Sequence, residues 1–260
     1  MDLYLLISIL GLVTGFLSGL LGIGGGIVMA PLLLYVPPLF GFAALPMRIV
    51  AGLTIVQGLV ACVSGGLTHK KFHFVSTGLV AWMGTTIFIC ALVGGAGAKY
   101  VENKMLLAIF SAMAFSAALL ILIPSKTIDS EHPDLAIFSF NRCRAVLTAG
   151  GVGLLGGLVG QGGSFILIPL MTAFVQVPTR IAIGSNLAIV FLSSVAAFLG
   201  KAFTGQIPWS LTLPIILTVI PAAHLGGLVS KNVAVAKLRL LLAIIIALAA
   251  IRITISVLTS

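Results

Sequence analysis

The chain has 260 residues, 60% of them hydrophobic and only 7% charged, with a formal net charge of +9. Soluble domains carry about 25% charged residues, so this composition excludes an ordinary soluble enzyme, a disordered chain and, despite the positive charge, a nucleic-acid-binding protein. It admits an all-α polytopic membrane protein: at about 20 apolar residues per crossing, the apolar content suffices for about eight spans.

The N-terminal Met1-Asp2-Leu3 has no basic stretch and reads as the start of a retained helix rather than a signal peptide. Segments free of Asp, Glu, Lys and Arg then follow at 3–47, 49–69, 72–98, 105–125, 145–179, 181–200 and 202–230, with a last apolar helix near 238–258. Two are too long for one crossing. As helices, 3–47 and 145–179 would measure about 68 Å and about 52 Å at 1.5 Å per residue, against a hydrocarbon core of about 30 Å. Each must bend, break or cross twice, which gives ten segments if the broken halves count separately.

Both long segments contain a glycine break, Gly22-Ile23-Gly24-Gly25-Gly26 and Gly160-Gln161-Gly162-Gly163-Ser164, each followed by an apolar run and a proline, Pro31 and Pro169. The breaks align at an offset of 138, which also places Gly15 on Gly153 and Gly19 on Gly157. Downstream, Arg48-Ile49-Val50-Ala51-Gly52 matches Arg180-Ile181-Ala182-Ile183-Gly184 at an offset of 132. The pattern predicts a duplication: a first repeat over 1–123, a polar linker over 124–143 holding three of the five acids, and a second repeat over 144–260.

Basic residues test the topology. If each long segment crosses once, they divide evenly between the two sides. If each goes in and returns, Lys70, Lys71, Lys126, Arg142, Arg144, Arg180, Lys231, Lys237 and Arg239 share one side, against Arg48, Lys99, Lys104, Lys201 and Arg252. The second arrangement predicts a cytoplasmic linker, termini outside and two inverted repeats, a recurrent transporter plan.

Consecutive glycines weaken a helix by about 1 kcal/mol each relative to alanine. Non-helical backbone at membrane depth persists only where protein buries it or a cavity hydrates it. The helix restarting after each break is expected to present unpaired N–H groups at the positive end of its dipole, and two such ends facing one another would hold an anion. The candidate substrate-binding residues are Gly24, Gly25, Gly26, Gln161, Gly162, Gly163 and Ser164, with Thr54, Gln57, Ser185 and Asn186 as side-chain donors. Gly11, Gly15, Gly19, Gly153 and Gly157 read instead as helix-packing positions.

No acid lies inside an expected span, which disfavours a cation site and argues for an anionic or neutral solute. Arg48 and Arg180, at equivalent repeat positions, are candidates for attracting anions, with simple anchoring as the alternative. His224 is the only histidine in an apolar span and is a candidate gating group. Lys201 reads as a loop anchor. Cys62, Cys90 and Cys143 form no CxxC pair, and no metal site, cofactor or disulfide is expected. There is no H-E-x-x-H, GxSxG or Walker A motif, so an enzyme is not expected.

The motif Gly19-Leu20-Leu21-Gly22-Ile23-Gly24-Gly25-Gly26, repeated around Gly160, resembles the TauE/SafE family of sulfite exporters and toluenesulfonate uptake permeases. The elements Gly52-Leu53-Thr54 and Gly184-Ser185-Asn186 are similar to that family too, and the chain departs from its pattern at Ser164 and Leu53, where Gly and Thr are expected. The resemblance implies a multi-pass protein of a bacterial-type inner membrane that moves sulfite, a sulfonate or a related small anion. A secondary transporter working by alternating access is the leading expectation. An anion channel and a non-transporting membrane scaffold remain alternatives. The sequence leaves the oligomeric state open, a homodimer among the options.

Overall fold

A computed structural model of the chain describes residues 2–21, 26–68, 75–122 and 140–230, together with Ile244 and Leu248. The described residues form α1 (Leu3–Leu21), α2 (Gly26–Leu39), α3 (Met47–Thr68), α4 (Thr77–Gly97), α5 (Asn103–Leu122), α6 (Arg142–Val159), α7 (Ser164–Leu170), α8 (Thr179–Phe203) and α9 (Trp209–Ser230). Seven of these are long and apolar enough to cross a membrane, and Gly26–Leu39 and Ser164–Val175 are shorter apolar helices. The apolar segment expected near 238–258 lies outside the described residues, apart from Ile244 and Leu248.

Local chemistry sets the ends. The Ser76 hydroxyl caps α4 by accepting from Leu79 N, and the Asn141 side chain caps α6 by accepting from Arg144 N. Gly160 ends α6 in the left-handed conformation, with its N–H turned back to Gly157 O. A π-turn over Met171–Val175 extends α7 and stops at Gln176, itself at φ 63°. Pro178 then fixes the backbone that opens α8. Outward faces carry Ile89, Val93, Phe115, Leu119, Leu147, Leu213 and Leu217 exposed, as a lipid solvent requires.

Close backbone approaches reveal the helix directions. Gly11 meets Thr218, Gly15 meets Val219 and Gly19 meets Ala223, so α1 and α9 run side by side in the same direction. Gly150 meets Cys90 and Gly157 meets Ala91 and Gly95, so α4 and α6 form a second parallel pair. Gly84 on Leu192 and Gly200 on Leu92 and Ala96 make α8 parallel to α4. Gly52 of α3 abuts Gln206 and Pro208, just before α9 begins, which aligns α3 with α9. Hence α1, α3 and α9 run one way and α4, α6 and α8 the other. The first helix of each half (α1, α6) pairs with the fourth helix of the opposite half (α9, α4).

The long segments return rather than cross. Gly163 packs on Val152, and the Arg144 guanidinium lies 5.7 Å from the Phe174 ring centroid. The chain after the break therefore runs back along α6 to the side where α6 began. In the first half the Thr14 hydroxyl reaches Met29 Sδ at 3.2 Å, the same fold-back of α2 onto α1. Because α8 then repeats the direction of α6, and α3 that of α1, the halves are inverted with respect to each other.

Candidate functional site

The second break is a tight reversal held by its own carbonyls. Gly160, Gly162 and Gly163 have φ of 73°, 60° and 72°, a region that costs an L-residue about 1–2 kcal/mol. Space is as restrictive as conformation: a Cβ on Gly160 would strike Ala51 O of α3, and one on Gly162 would come 2.8 Å from Ser194 Oγ of α8. The Thr54 hydroxyl sits 3.0 Å from Gly160 O, so α3 grips the break where α6 ends.

The start of α7 differs from expectation. Gln161 N and Gly162 N both point to Gly156 O, Ser164 N to Gln161 O, and Ile166 N and Leu167 N to Gly163 O. The Ser164 hydroxyl is also used locally, donating to Gln161 O at 3.3 Å. The reversal is so tight that these donors find carbonyls within it. Most of the N–H groups expected to be open at the second break, those of Gln161, Gly162, Ser164 and Ile166, are therefore bonded locally.

Open polar groups come from side chains instead. Gln57, Gln161 and Asn186 are 0%, 4% and 1% exposed. Neither amide atom of Gln57 or Gln161 has a hydrogen-bond partner, and Asn186 Oδ1 has none. A buried polar atom left unpaired costs about 1–3 kcal/mol. The Gln161 amide packs directly against Gly26, where a Cβ would collide with Oε1. The two breaks therefore meet, Gly26 opening α2 on one side and Gln161 lying in the reversal on the other. Gln57 is one turn beyond Thr54 on the same face of α3. Ser193 of α8, two turns beyond Asn186, is likewise buried with an unpartnered hydroxyl.

Other expected residues are placed apart from this cluster. Ser185 is buried, but its Oγ accepts from Ser76 N at 3.1 Å, where α4 begins. Arg48 donates from Nη2 to Val101 O at 2.8 Å and keeps a buried, unpartnered Nε. Arg180 lies in the first turn of α8. His224 is exposed on α9, next to Ala223, which packs on Gly19. Gly24 and Gly25 lie outside the described residues. Lys201, read from sequence as a loop anchor, is completely buried. Its position at the end of an apolar run gave no sign of that, because only the packing of α8 on α6 closes over it. An apolar cavity of about 340 Å³ lies between α5 and the α6–α7 hairpin, lined by Met113, Leu147, Leu155, Ile166 and Phe174 among others. It faces away from the polar cluster and suits an acyl chain better than an anion.

Comparison with known proteins gives this architecture a family. The family described as "Sulfite exporter TauE/SafE" matches residues 7–253. The chain belongs to the TauE/SafE family. It is 23% identical over 240 residues to the "Probable membrane transporter protein YunE" of Bacillus subtilis, covering 86% of each chain. A "Probable membrane transporter protein" of Xylella fastidiosa is 29% identical over 236 residues, covering 87% of this chain and 85% of its own. The "Probable membrane transporter protein MJ0441" of Methanocaldococcus jannaschii is 22% identical and covers 93% of this chain and 91% of its own. No solved structure matches significantly. As a TauE/SafE member the chain is a multi-pass membrane transporter, and the glycine-rich reversals that meet at Gly26 and Gln161 lie within the matched region.

Proposed function

We propose that this TauE/SafE transporter is a secondary carrier of a small anion, of the sulfite or organosulfonate class, working by alternating access. The observation that carries the reading is the meeting of the two breaks at Gly26 and Gln161, with the unpartnered amides of Gln57 and Gln161. Amide N–H groups in a dry interior are strong oxyanion donors. The acids among the described residues, Asp2 and Glu102, are both exposed, so this interior offers a cation no carboxylate.

The packing supports alternating access. Each half contributes one break, one gripping helix (α3 or α8) and one member of each parallel helix pair. The parallel pairs α1–α9 and α4–α6 each join the two halves, so rocking of one pair against the other opens the breaks to one side at a time. The excess of basic residues on the linker side argues for a cytoplasmic linker and termini outside, in a bacterial-type inner membrane.

The test is uptake into proteoliposomes of purified protein, with radiolabelled sulfite, taurine and sulfoacetate. The expected result is saturable uptake of at least one anion, with counterflow driven by the same unlabelled anion. Flux linear in concentration without counterflow would make the protein a channel. No flux, together with no anion-dependent thermal stabilisation, would refute anion transport. A ligand at 100 times its dissociation constant should stabilise by about 2.7 kcal/mol.

A further inference from the structure

Lys201 is the charge this fold does not account for. Its side chain has no exposure, yet it belongs to a spanning helix and faces the protein interior. An ammonium has three donors. One goes to Leu158 O at 3.1 Å, two residues before the Gly160 reversal. Among the described residues no other hydrogen bond from it is present, and the acids there, Asp2 and Glu102, are exposed.

The surroundings add positive charge rather than relieving it. Arg48 lies one turn before Gly52 of α3, which packs on Gln206 just after Lys201, so both cations belong to the same end of the bundle. The Arg48 Nε is buried and unpartnered. Gln206 links the two elements: its backbone N–H is bonded to Lys201 O, and its carbonyl lies against Gly52 of α3. Helix side chains lean toward their N-terminus, so Lys201 reaches back along α8 toward the break. A buried charge lacking a counter-charge is strongly unfavourable, and a second cation nearby makes it more so. Capping the α6 C-terminus accounts for one donor. It does not account for the other two or for the pairing with Arg48.

We infer that Lys201 supplies the counter-charge for the carried anion, whose oxyanion end binds between the Lys201 ammonium and the unpartnered Gln161 amide in the reversal, with Arg48 attracting it to that end of the bundle. The inference rests on the anion-carrier reading and deepens it. An ammonium, as a compact charge with rotatable donors, accepts the pyramidal oxygens of sulfite and the tetrahedral head of a sulfonate alike.

The experiment uses the full chain in detergent, titrated with sulfite and with methanesulfonate at ionic strength matched by chloride. Binding is read by thermal shift for the wild type, Lys201→Met and Lys201→Arg. The expected result is at least a tenfold loss of affinity in Lys201→Met and partial retention in Lys201→Arg. A folded Lys201→Met with wild-type affinity overturns the inference and leaves the carrier reading standing, since a pure helix cap would lose stability without losing affinity. No response of the wild type to either anion overturns both. If Lys201→Met is not recovered folded, reductive methylation of the wild type decides. Saturating methanesulfonate should slow modification of Lys201 but not of Lys99 or Lys104, and equal rates with and without methanesulfonate overturn the inference.

Discussion

Replacing Gly160 by alanine tests how tightly α3 clamps the second break. Gly160 has φ 73°, and its Cβ would land on the carbonyl oxygen of Ala51. The left-handed conformation costs a non-glycine residue about 1–2 kcal/mol. Overpacking against a neighbour that cannot rotate away adds about 1–3 kcal/mol. The expected loss is therefore about 2–5 kcal/mol. Two glycines provide internal controls. Gly205 has φ 70° with nothing within 4 Å of its Cβ, so Gly205→Ala should show the conformational part alone, about 1–2 kcal/mol. Gly151 is an exposed residue of α6 with open space beside it, so Gly151→Ala should gain up to about 1 kcal/mol. Denaturant-induced unfolding in a fixed detergent, followed by tryptophan fluorescence, would rank the three. A Gly160→Ala variant no less stable than Gly205→Ala would refute the close approach of α3 to the break.

Three further outcomes are expected. Gln161→Leu and Gln57→Leu remove buried amides that have no partner, so thermal stability should stay level or rise while anion-dependent stabilisation weakens at least tenfold; a loss of stability with binding intact would contradict that assignment. Gly26→Ala places a methyl group on the Gln161 amide, a flexible neighbour, so proteoliposome uptake should fall more than the melting temperature does. Thr54→Val withdraws the hydroxyl 3.0 Å from Gly160 O and should cost about 1 kcal/mol, measured by the same unfolding assay; a neutral result would mean that the grip of α3 depends on packing alone.

Much of the plan was written in one dimension. Composition specified membrane helices because 60% apolar residues cannot be covered by 7% charged ones. The two breaks were visible because glycine runs are rare inside apolar helices, and their repetition identified related halves. The resemblance at Gly19–Gly26 and around Gly160 led to the correct family. Segment length showed that 3–47 and 145–179 could not cross once as straight helices, and the basic-residue count favoured the return that the contact of Arg144 with Phe174 now shows. Those are local or additive properties, and a sequence carries them openly.

The site depended on contacts between residues far apart in the chain. Ser164 and Ser185 have the same hydroxyl as any candidate ligand, yet one is used by its own loop and the other by the start of α4. The open N–H groups expected after the second break fold onto Gly156 and Gly163, because a left-handed glycine reversal brings carbonyls within their reach. Lys201 looked like the end of a span. Only the parallel packing of α8 with α6 and α4 encloses it, and the loop that follows it packs on Gly52, one turn from Arg48 and about 150 positions earlier in the chain. Sequence determined which segments enter the membrane and where they break, since each follows from the transfer free energy and backbone freedom of consecutive residues. Tertiary structure decided which polar groups remain open, since a donor is free or satisfied only by virtue of what the rest of the chain places beside it.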